Sequence, residues 1–171
     1  PIKLSFMKEY KLIILSIIAA TVVIGGAIWF SKQNTPSDNL PAVNATLSAE
    51  QTSFDFGTVS MANGNVSAKF KIKNSGPEPL TITKIYTSCM CTAATLVKND
   101  GKRFGPVGML GHGYVPSIKE SLAVSEEAEI EVIFDPTAHG PAGIGKIERA
   151  VTLENNTNTP LVLTISANVT P

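Results

Sequence analysis

Five side chains in this sequence have the chemistry of ligands for soft or borderline metal ions. A thiolate or a thioether favours Cu(I), and an imidazole suits copper or zinc. Three of the five lie in predicted turns or loops, which can converge at one end of a β-sandwich. The spacing matches no zinc signature, and two cysteines alone cannot complete a tetrahedral site. The alternative interpretation is two small buried cysteines, a core methionine and two loop histidines. The predicted ligands are Cys89, Cys91, Met109, His112 and His139.

The two thiols can instead form a disulfide or take part in redox chemistry. In an extended strand the Cα atoms of residues i and i+2 lie roughly 6.6 Å apart, near the upper limit for a disulfide. A bond between Cys89 and Cys91 would therefore need a local bend, and its strain would make it easy to reduce. Thiol oxidoreductases normally place a CxxC thiol at a helix N-terminus, whereas this sequence predicts no helix beside its cysteines.

No enzyme signature accompanies these residues. The sequence contains no G-x-S-x-G, no Walker loop and no H-E-x-x-H. Asp135 and His139 lie four residues apart, but no serine is placed to complete a triad. Fourteen basic and fourteen acidic side chains cancel, which gives no electrostatic reason to expect a nucleic-acid partner. We therefore predict a protein that is not an enzyme and does not bind nucleic acid.

Strands are the elements that must position the candidate ligands. Alternating apolar and polar residues predict a strand at 66–74, and a segment rich in threonine and isoleucine predicts another at 80–87. The turn between them contains Gly76, which is expected to supply a positive φ. No βαβ pattern is present, so the predicted fold is all-β, an immunoglobulin-like antiparallel β-sandwich of about seven to eight strands. Further strands are predicted at 45–48, 54–57, 91–97, 128–134, 145–154 and 161–169.

The apolar faces of these strands predict the core, because a period of two directs alternate side chains to one side of a sheet. The segment 98–124 interrupts this rhythm. It is rich in glycine but carries its own apolar residues, which is typical of a packed Ω-type loop; disorder is the alternative. The residues predicted to be buried are Phe70, Ile72, Ile130, Val132, Val151, Leu163 and Ile165.

The N-terminal part of the chain predicts a membrane anchor. Residues 12–30 contain no charge, and these 19 residues would span about 28 Å as a helix, close to the thickness of the hydrocarbon layer. Lys8 and Lys11 precede the apolar run and Lys32 follows it, which favours a cytoplasmic N-terminus and an exported C-terminal part. A cleaved signal peptide is the alternative. The predicted organisation is a cytoplasmic segment 1–11, a transmembrane helix 12–30, a polar linker 31–44 and a β-sandwich domain 45–171.

The order of several short pieces resembles a known family. The pieces are Phe-Asp-Phe-Gly-Thr-Val at 54–59, Phe-Lys-Ile-Lys-Asn-Ser-Gly at 70–76, Thr-Ser-Cys-Met-Cys-Thr at 87–92, and the strands at 130–136 and 161–169. Together they are similar to a widespread family of exported bacterial domains of unknown function, related to the Hydin-like and major-sperm-protein-like branches of the immunoglobulin fold. This family often has glycine between its two cysteines. Met90 stands there in this sequence, which counts against a tight turn at that point.

These observations favour a single-pass cell-membrane protein whose exported domain has a binding or structural role in the cell envelope, with a protein partner and no cofactor. The alternative is a metal-binding protein, with copper as the expected metal, or a thiol-redox protein of the same compartment, using Cys89, Cys91, Met109 and His112. We also predict that the cysteine segment and the loop around Met109 and His112 lie at the same end of the sandwich and touch, either for packing alone or to share a metal ion.

The predicted topology can be tested with a reporter that is active only in the cytoplasm, fused after Pro171. The charge asymmetry around 12–30 predicts little reporter activity, because the C-terminal part should be exported. Moving the two upstream lysines to the position after the apolar run is the matched control and should raise the activity. Strong activity of the unaltered fusion would contradict the predicted orientation.

Overall fold

The computed structural model describes residues 40–113, 115–157 and 159–171 of the protein. Within these ranges the chain forms ten strands and two short 3₁₀ helices, at Met61–Asn63 and Gly140–Gly143. None of the helices in the described ranges is long and apolar enough to cross a membrane, and the predicted segments 1–11 and 12–30 lie outside them. The strands are β1 Leu47–Ala49, β2 Ser53–Ser60, β3 Val66–Asn74, β4 Leu80–Thr87, β5 Thr92–Lys98, β6 Arg103–Val107, β7 Glu120–Leu122, β8 Glu127–Phe134, β9 Gly145–Asn155 and β10 Leu161–Thr170.

The strands form two five-stranded sheets, so the all-β class is confirmed. The first sheet has the order β1-β3-β8-β5-β6 and the second has the order β2-β10-β9-β4-β7. The predicted number of seven to eight strands is too low, and one pair departs from the antiparallel rule. Strand β2 runs parallel to β10, with Ile165 opposite Phe54. The chain leaves the first sheet after β1 and enters the second at its edge, where it runs in the same direction as the last strand.

The two sheets share one hydrophobic core. All seven residues predicted to be buried are at most 1% exposed, and they come from β3 and β8 of the first sheet and from β9 and β10 of the second. Phe70 and Ile130 are opposite each other in the register of β3 and β8. Burial of a large apolar side chain stabilises the fold by roughly 1.5–3 kcal/mol, so these alternating faces supply the main force that holds the sheets together.

The segment 98–124, predicted as a loop insertion, contains two strands. Strand β6 pairs with β5, with Leu96 opposite Phe104 and Ala94 opposite Val107, and β7 pairs with β4. Gly105 and Pro106 have low strand propensity, so the sequence pattern does not predict β6. A proline is tolerated here because β6 is an edge strand, where the missing N–H removes no hydrogen bond between strands. As a result, β6 returns the chain along the sheet to the end where β5 begins.

Part of the predicted linker is attached to the domain. The compact unit of the described chain begins at residue 40. The Val43 N–H donates to the Asn156 carbonyl at 3.1 Å, and the Asn156 side chain donates to the Pro41 carbonyl at 3.3 Å. Pro41 and Val43 therefore have hydrogen-bond partners on the domain.

The turn after β3 is held by a buried asparagine. Asn74 is fully buried, and its side-chain amide donates to the carbonyl groups of Glu78 at 2.8 Å and Leu122 at 3.1 Å. Its side-chain oxygen accepts from the Gly76 N–H at 3.0 Å. Gly76 is not among the described glycines with positive φ, so the predicted reason for this glycine is wrong. A Cβ at Gly76 would lie 2.5 Å from the Ala45 Cα, so close packing against the backbone is what requires glycine here.

We predict that Gly76→Ala destabilises the domain much more than Gly108→Ala. A Cβ at position 76 meets main-chain atoms that cannot rotate away, and overpacking of this kind costs about 1–3 kcal/mol or more. A Cβ at Gly108 has no atom within 4 Å, and its φ is not positive, so that variant should change the free energy of unfolding by less than about 0.5–1 kcal/mol. Urea denaturation followed by circular dichroism measures both. Equal stability of the two variants would contradict the packing argument.

Candidate metal centre

The two cysteines lie in the turn that carries the chain from β4 in the second sheet to β5 in the first. The Thr92 N–H donates to the Cys89 carbonyl at 3.1 Å and closes the turn. Lys119 and Ser125 are the described non-glycine residues with positive φ, so Met90 keeps a negative φ. A turn of this geometry accepts most residue types at its centre. The expectation that Met90 counts against a tight turn is therefore wrong.

Hydrogen bonds to the neighbouring strand fix this turn in place. The Ser88 N–H donates to the Ala150 carbonyl at 2.9 Å, and the Ser88 hydroxyl accepts from the Ala150 N–H at 2.9 Å. The buried Thr87 hydroxyl lies 2.9 Å from the Cys89 carbonyl and 3.0 Å from the Thr92 carbonyl, to either of which it can donate. The cysteines thus start from a backbone held by both the turn and β9.

The third candidate ligand comes from the loop between β8 and β9. The Asp135 N–H donates to the Cys91 carbonyl at 2.8 Å, which joins this loop to the cysteine turn. The Asp135 carboxylate accepts from the Thr137 N–H at 2.8 Å and from its hydroxyl at 2.6 Å, which bends the chain. His139 follows, and a Cβ at Gly143 would lie 3.2 Å from the His139 Cβ. The backbone at Gly143 therefore lies close to the Cβ of His139, while the histidine remains exposed.

These segments bring three ligand atoms together. The Cys89 Sγ lies 3.1 Å from the His139 Nε2, and one ligand atom from each of Cys89, Cys91 and His139 lies within 4.8 Å of the others. Both cysteines are free thiols, 8% and 3% exposed, whereas His139 is exposed to solvent. The Arg149 Nε donates to the Cys91 Sγ at 3.3 Å. The site is thus a buried thiol pair with a histidine at its mouth and a guanidinium on one sulfur.

The two thiols have different affinities for their protons. Burial raises the pKa of Cys89, but hydrogen bonds from Cys91 and His139, together with the charge of Arg149, outweigh it and lower this pKa to about 7. Burial raises the pKa of Cys91, and the hydrogen bond with Cys89 raises it further. The pair therefore loses one proton readily and keeps the second, as interacting acids do.

The arrangement fits a thiophilic metal ion. Metal–sulfur bonds of about 2.3 Å and metal–nitrogen bonds of about 2.0 Å place ligand atoms at most roughly 4.6 Å apart, close to the 4.8 Å limit that contains the three atoms. Two thiolates and one imidazole form a soft donor set. With the three protein ligands found among the described residues, a fourth coordination position would remain open toward the exposed side of His139.

The structure assembles some of the predicted ligands and not others. His112 is exposed and is not part of the metal-ligating group found among the described residues. Met109 pairs through its backbone with Thr87, two residues before Cys89, so the loop and the cysteine turn do meet at one end of the sandwich. Arg149 is the residue that sequence reasoning missed. The sequence did contain a signal for it. Arg149 is a charged residue at a position of the alternating pattern where Ile147 and Val151, on either side, are apolar and face inward.

The fold of the described chain is similar to that of solved structures. A crystal structure of a protein of unknown function from Porphyromonas gingivalis W83 is similar over 79% of this chain, with 16% identity and a TM-score of 0.51, and this chain spans 51% of that one. The PapD-like domain 7 of human CEP192, an ASH / PapD-like domain, is similar over 80% of this chain and 92% of its own, with 12% identity and a TM-score of 0.44. The described chain thus has an immunoglobulin-like β-sandwich fold that is similar to the structure from Porphyromonas gingivalis W83.

Part of the sequence also matches a family model. Residues 47–103 match the family described as protein of unknown function DUF1573, and this stretch contains both cysteines. The resemblance to a family of unknown function with an immunoglobulin-like fold and a Cys-x-Cys motif is therefore confirmed. No curated protein matches the sequence.

We predict that the first proton leaves the thiol pair near pH 7. Because the pKa of Cys89 is lowered, the thiolate should be present above about pH 7 and should disappear as the pH falls below it, whereas an ordinary thiol ionises near pH 8.5. The ultraviolet absorbance of thiolate measures this in the reduced protein. His139→Ala should move the transition to higher pH, and His112→Ala is the matched control that should not. A first transition at the ordinary thiol pKa would refute the hydrogen-bonded geometry.

Proposed function

We propose that this protein is a membrane-tethered, exported immunoglobulin-like domain that binds copper(I) through Cys89, Cys91 and His139. One observation carries the metal part of the proposal. Ligand atoms from two chain segments 50 residues apart lie within 4.8 Å of one another, at the end of a rigid sandwich. The apolar run at 12–30 and the lysines before it support the tethering and the export.

Copper(I) suits this donor set better than other common metals. Thiolates are soft ligands that select Cu(I), zinc and iron–sulfur clusters, whereas Mg²⁺ and Ca²⁺ require oxygen ligands. Structural zinc sites are closed by four protein ligands, and the cluster offers three. The burial of both sulfurs also shields a bound ion from water on one side.

The site is suited to holding an ion rather than to catalysis. Its residues are those that bind the metal and the arginine that contacts one of them, and we propose no enzymatic activity. Reversible binding is favoured by the exposed position of His139, which can open the site without disturbing the buried turn.

A role in binding a protein of the cell envelope is the second candidate, and the surface around the site favours it. Met90 is 55% exposed in the cysteine turn, and Leu110 and Ile144 are exposed large apolar residues in the adjoining loops. Leu110 follows Met109, whose backbone pairs with Thr87, and Ile144 ends the 3₁₀ helix after His139. Apolar residues at the rim of a metal site suit a partner that docks there.

The metal proposal is tested by Cu(I) competition against a chromogenic chelator, using the reduced full chain in detergent under anaerobic conditions. We expect one Cu(I) per chain, and Cys89→Ser/Cys91→Ser should abolish binding because both sulfur ligands are lost. His139→Ala should weaken binding by at least about tenfold to a hundredfold, the range found for groups that only support metal ligands. His112→Ala is the matched control and should bind like the unaltered protein. Equal binding by the double cysteine variant would overturn the proposal.

A further inference from the structure

Arg149 brings a positive charge to the thiol pair. It lies on β9 at an inward-facing position, between the partly buried Ile147 and the buried Val151. Its Nε donates to the Cys91 Sγ at 3.3 Å, and its Nη1 donates to the Glu148 carbonyl at 2.8 Å. No carboxylate among the described residues forms a salt bridge with it.

The charges of the surrounding segments do not cancel this guanidinium. Glu148 belongs to the opposite face of β9, since successive strand residues point to opposite sides. Asp135, in the loop that leads to His139, directs its carboxylate to the N–H and hydroxyl of Thr137. The sulfurs of the cysteine pair are therefore the groups near Arg149 that can balance its charge when they ionise or bind a metal.

We propose, on the basis of the copper(I) function above, that Arg149 makes the site select a monovalent over a divalent soft metal ion. Two metal-bound thiolates carry two negative charges, and the neutral imidazole of His139 adds none. With the guanidinium, the donor set has one net negative charge. A Cu(I) ion makes this partly buried group neutral, whereas a Zn(II) ion leaves it with one net positive charge.

The size of the effect follows from the distance. A metal ion bound to the Cys91 sulfur would lie roughly 5 Å from the guanidinium that contacts the same atom. At an effective dielectric constant of about 20, one unit of charge at this distance changes an affinity by on the order of a hundredfold. Since Zn(II) carries one charge more than Cu(I), the guanidinium lowers the affinity for Zn(II), relative to that for Cu(I), by up to this factor.

The ratio of the two affinities isolates this charge effect from other consequences of removing Arg149. Loss of its hydrogen bond also makes the thiols harder to ionise, which weakens the binding of any metal that needs both thiolates. That change affects Cu(I) and Zn(II) alike, so it cancels in the ratio. The difference in metal charge does not cancel.

The experiment measures Cu(I) and Zn(II) affinities by chelator competition for the reduced full chain in detergent. Arg149→Met and Arg149→Gln both remove the positive charge but differ in shape. We expect each variant to lower the Cu(I)-to-Zn(II) affinity ratio by at least about tenfold. Arg149→Lys keeps the charge and should keep the ratio within about threefold. Lys146→Met is the matched control, because it removes one positive charge from the other face of the same strand, and it should leave the ratio unchanged.

The outcomes separate this inference from the function on which it rests. If the unaltered protein binds neither metal, the copper(I) function is wrong and the selectivity falls with it. If the unaltered protein and the neutral variants bind with the same ratio, the function stands and the inference is overturned. A ratio that falls equally in Arg149→Lys would show that the guanidinium geometry, and not its charge, sets the selectivity, which also overturns the inference. Circular dichroism confirms that each variant is folded.

Discussion

The passage of the chain from one sheet to the other, between β4 and β5, is the constraint on which the site depends. Burying the two apolar faces requires such a crossing, and buried backbone groups there must find partners. Ser88 continues the ladder beyond β4 by bonding Ala150 through both its N–H and its hydroxyl. Thr87 and the bond between Thr92 and Cys89 satisfy the turn itself. The cysteines are therefore placed by the same bonds that allow the sandwich to close.

This origin explains why the thiols differ from each other. Both thiols lie at the edge of the core, and burial raises the pKa of each. Their polar neighbours differ because the turn points the two side chains in different directions. Cys89 faces His139 and the Cys91 N–H, which lies 3.4 Å from its sulfur. Cys91 faces Arg149 and the Thr92 hydroxyl. The fixed turn thus gives the two cysteines different pKa values, lowered for Cys89 and raised for Cys91.

Local patterns were enough to predict most of the framework. The strands β3 and β4 have the predicted boundaries, and Phe70 and Ile130 are buried as expected, because alternation is a property of each strand alone. Strand β6 was missed because Gly105 and Pro106 lower its strand propensity, while its pairing with β5 is a contact between segments. The parallel pairing of β2 with β10 depends on residues more than a hundred positions apart, so no local pattern contains it.

The same distinction holds for the site. The residue types of Cys89, Cys91 and His139 mark them as candidate ligands, but sequence alone could not separate His139 from His112. That choice depends on the bond between Asp135 and Cys91, which brings the loop after β8 to the cysteine turn. Gly76 shows the reverse error. The glycine suggested a backbone with positive φ, whereas glycine is required at this position because the backbone of Ala45 leaves no room for a Cβ.

Arg149 is the residue for which stability gives the weakest explanation. Taking a charge out of water is costly, and replacing buried ionic groups by apolar residues of similar size is often neutral or stabilising. The positions before and after it on the inward face of β9 are Ile147 and Val151, so an apolar residue would continue the core. Arg149 is partly buried, and an ionised thiol beside it balances its charge on the protein side; the same ionisation prepares a sulfur to bind a metal. The cation is therefore best understood together with the two sulfurs, as one partly buried group of charges that a bound Cu(I) ion would neutralise.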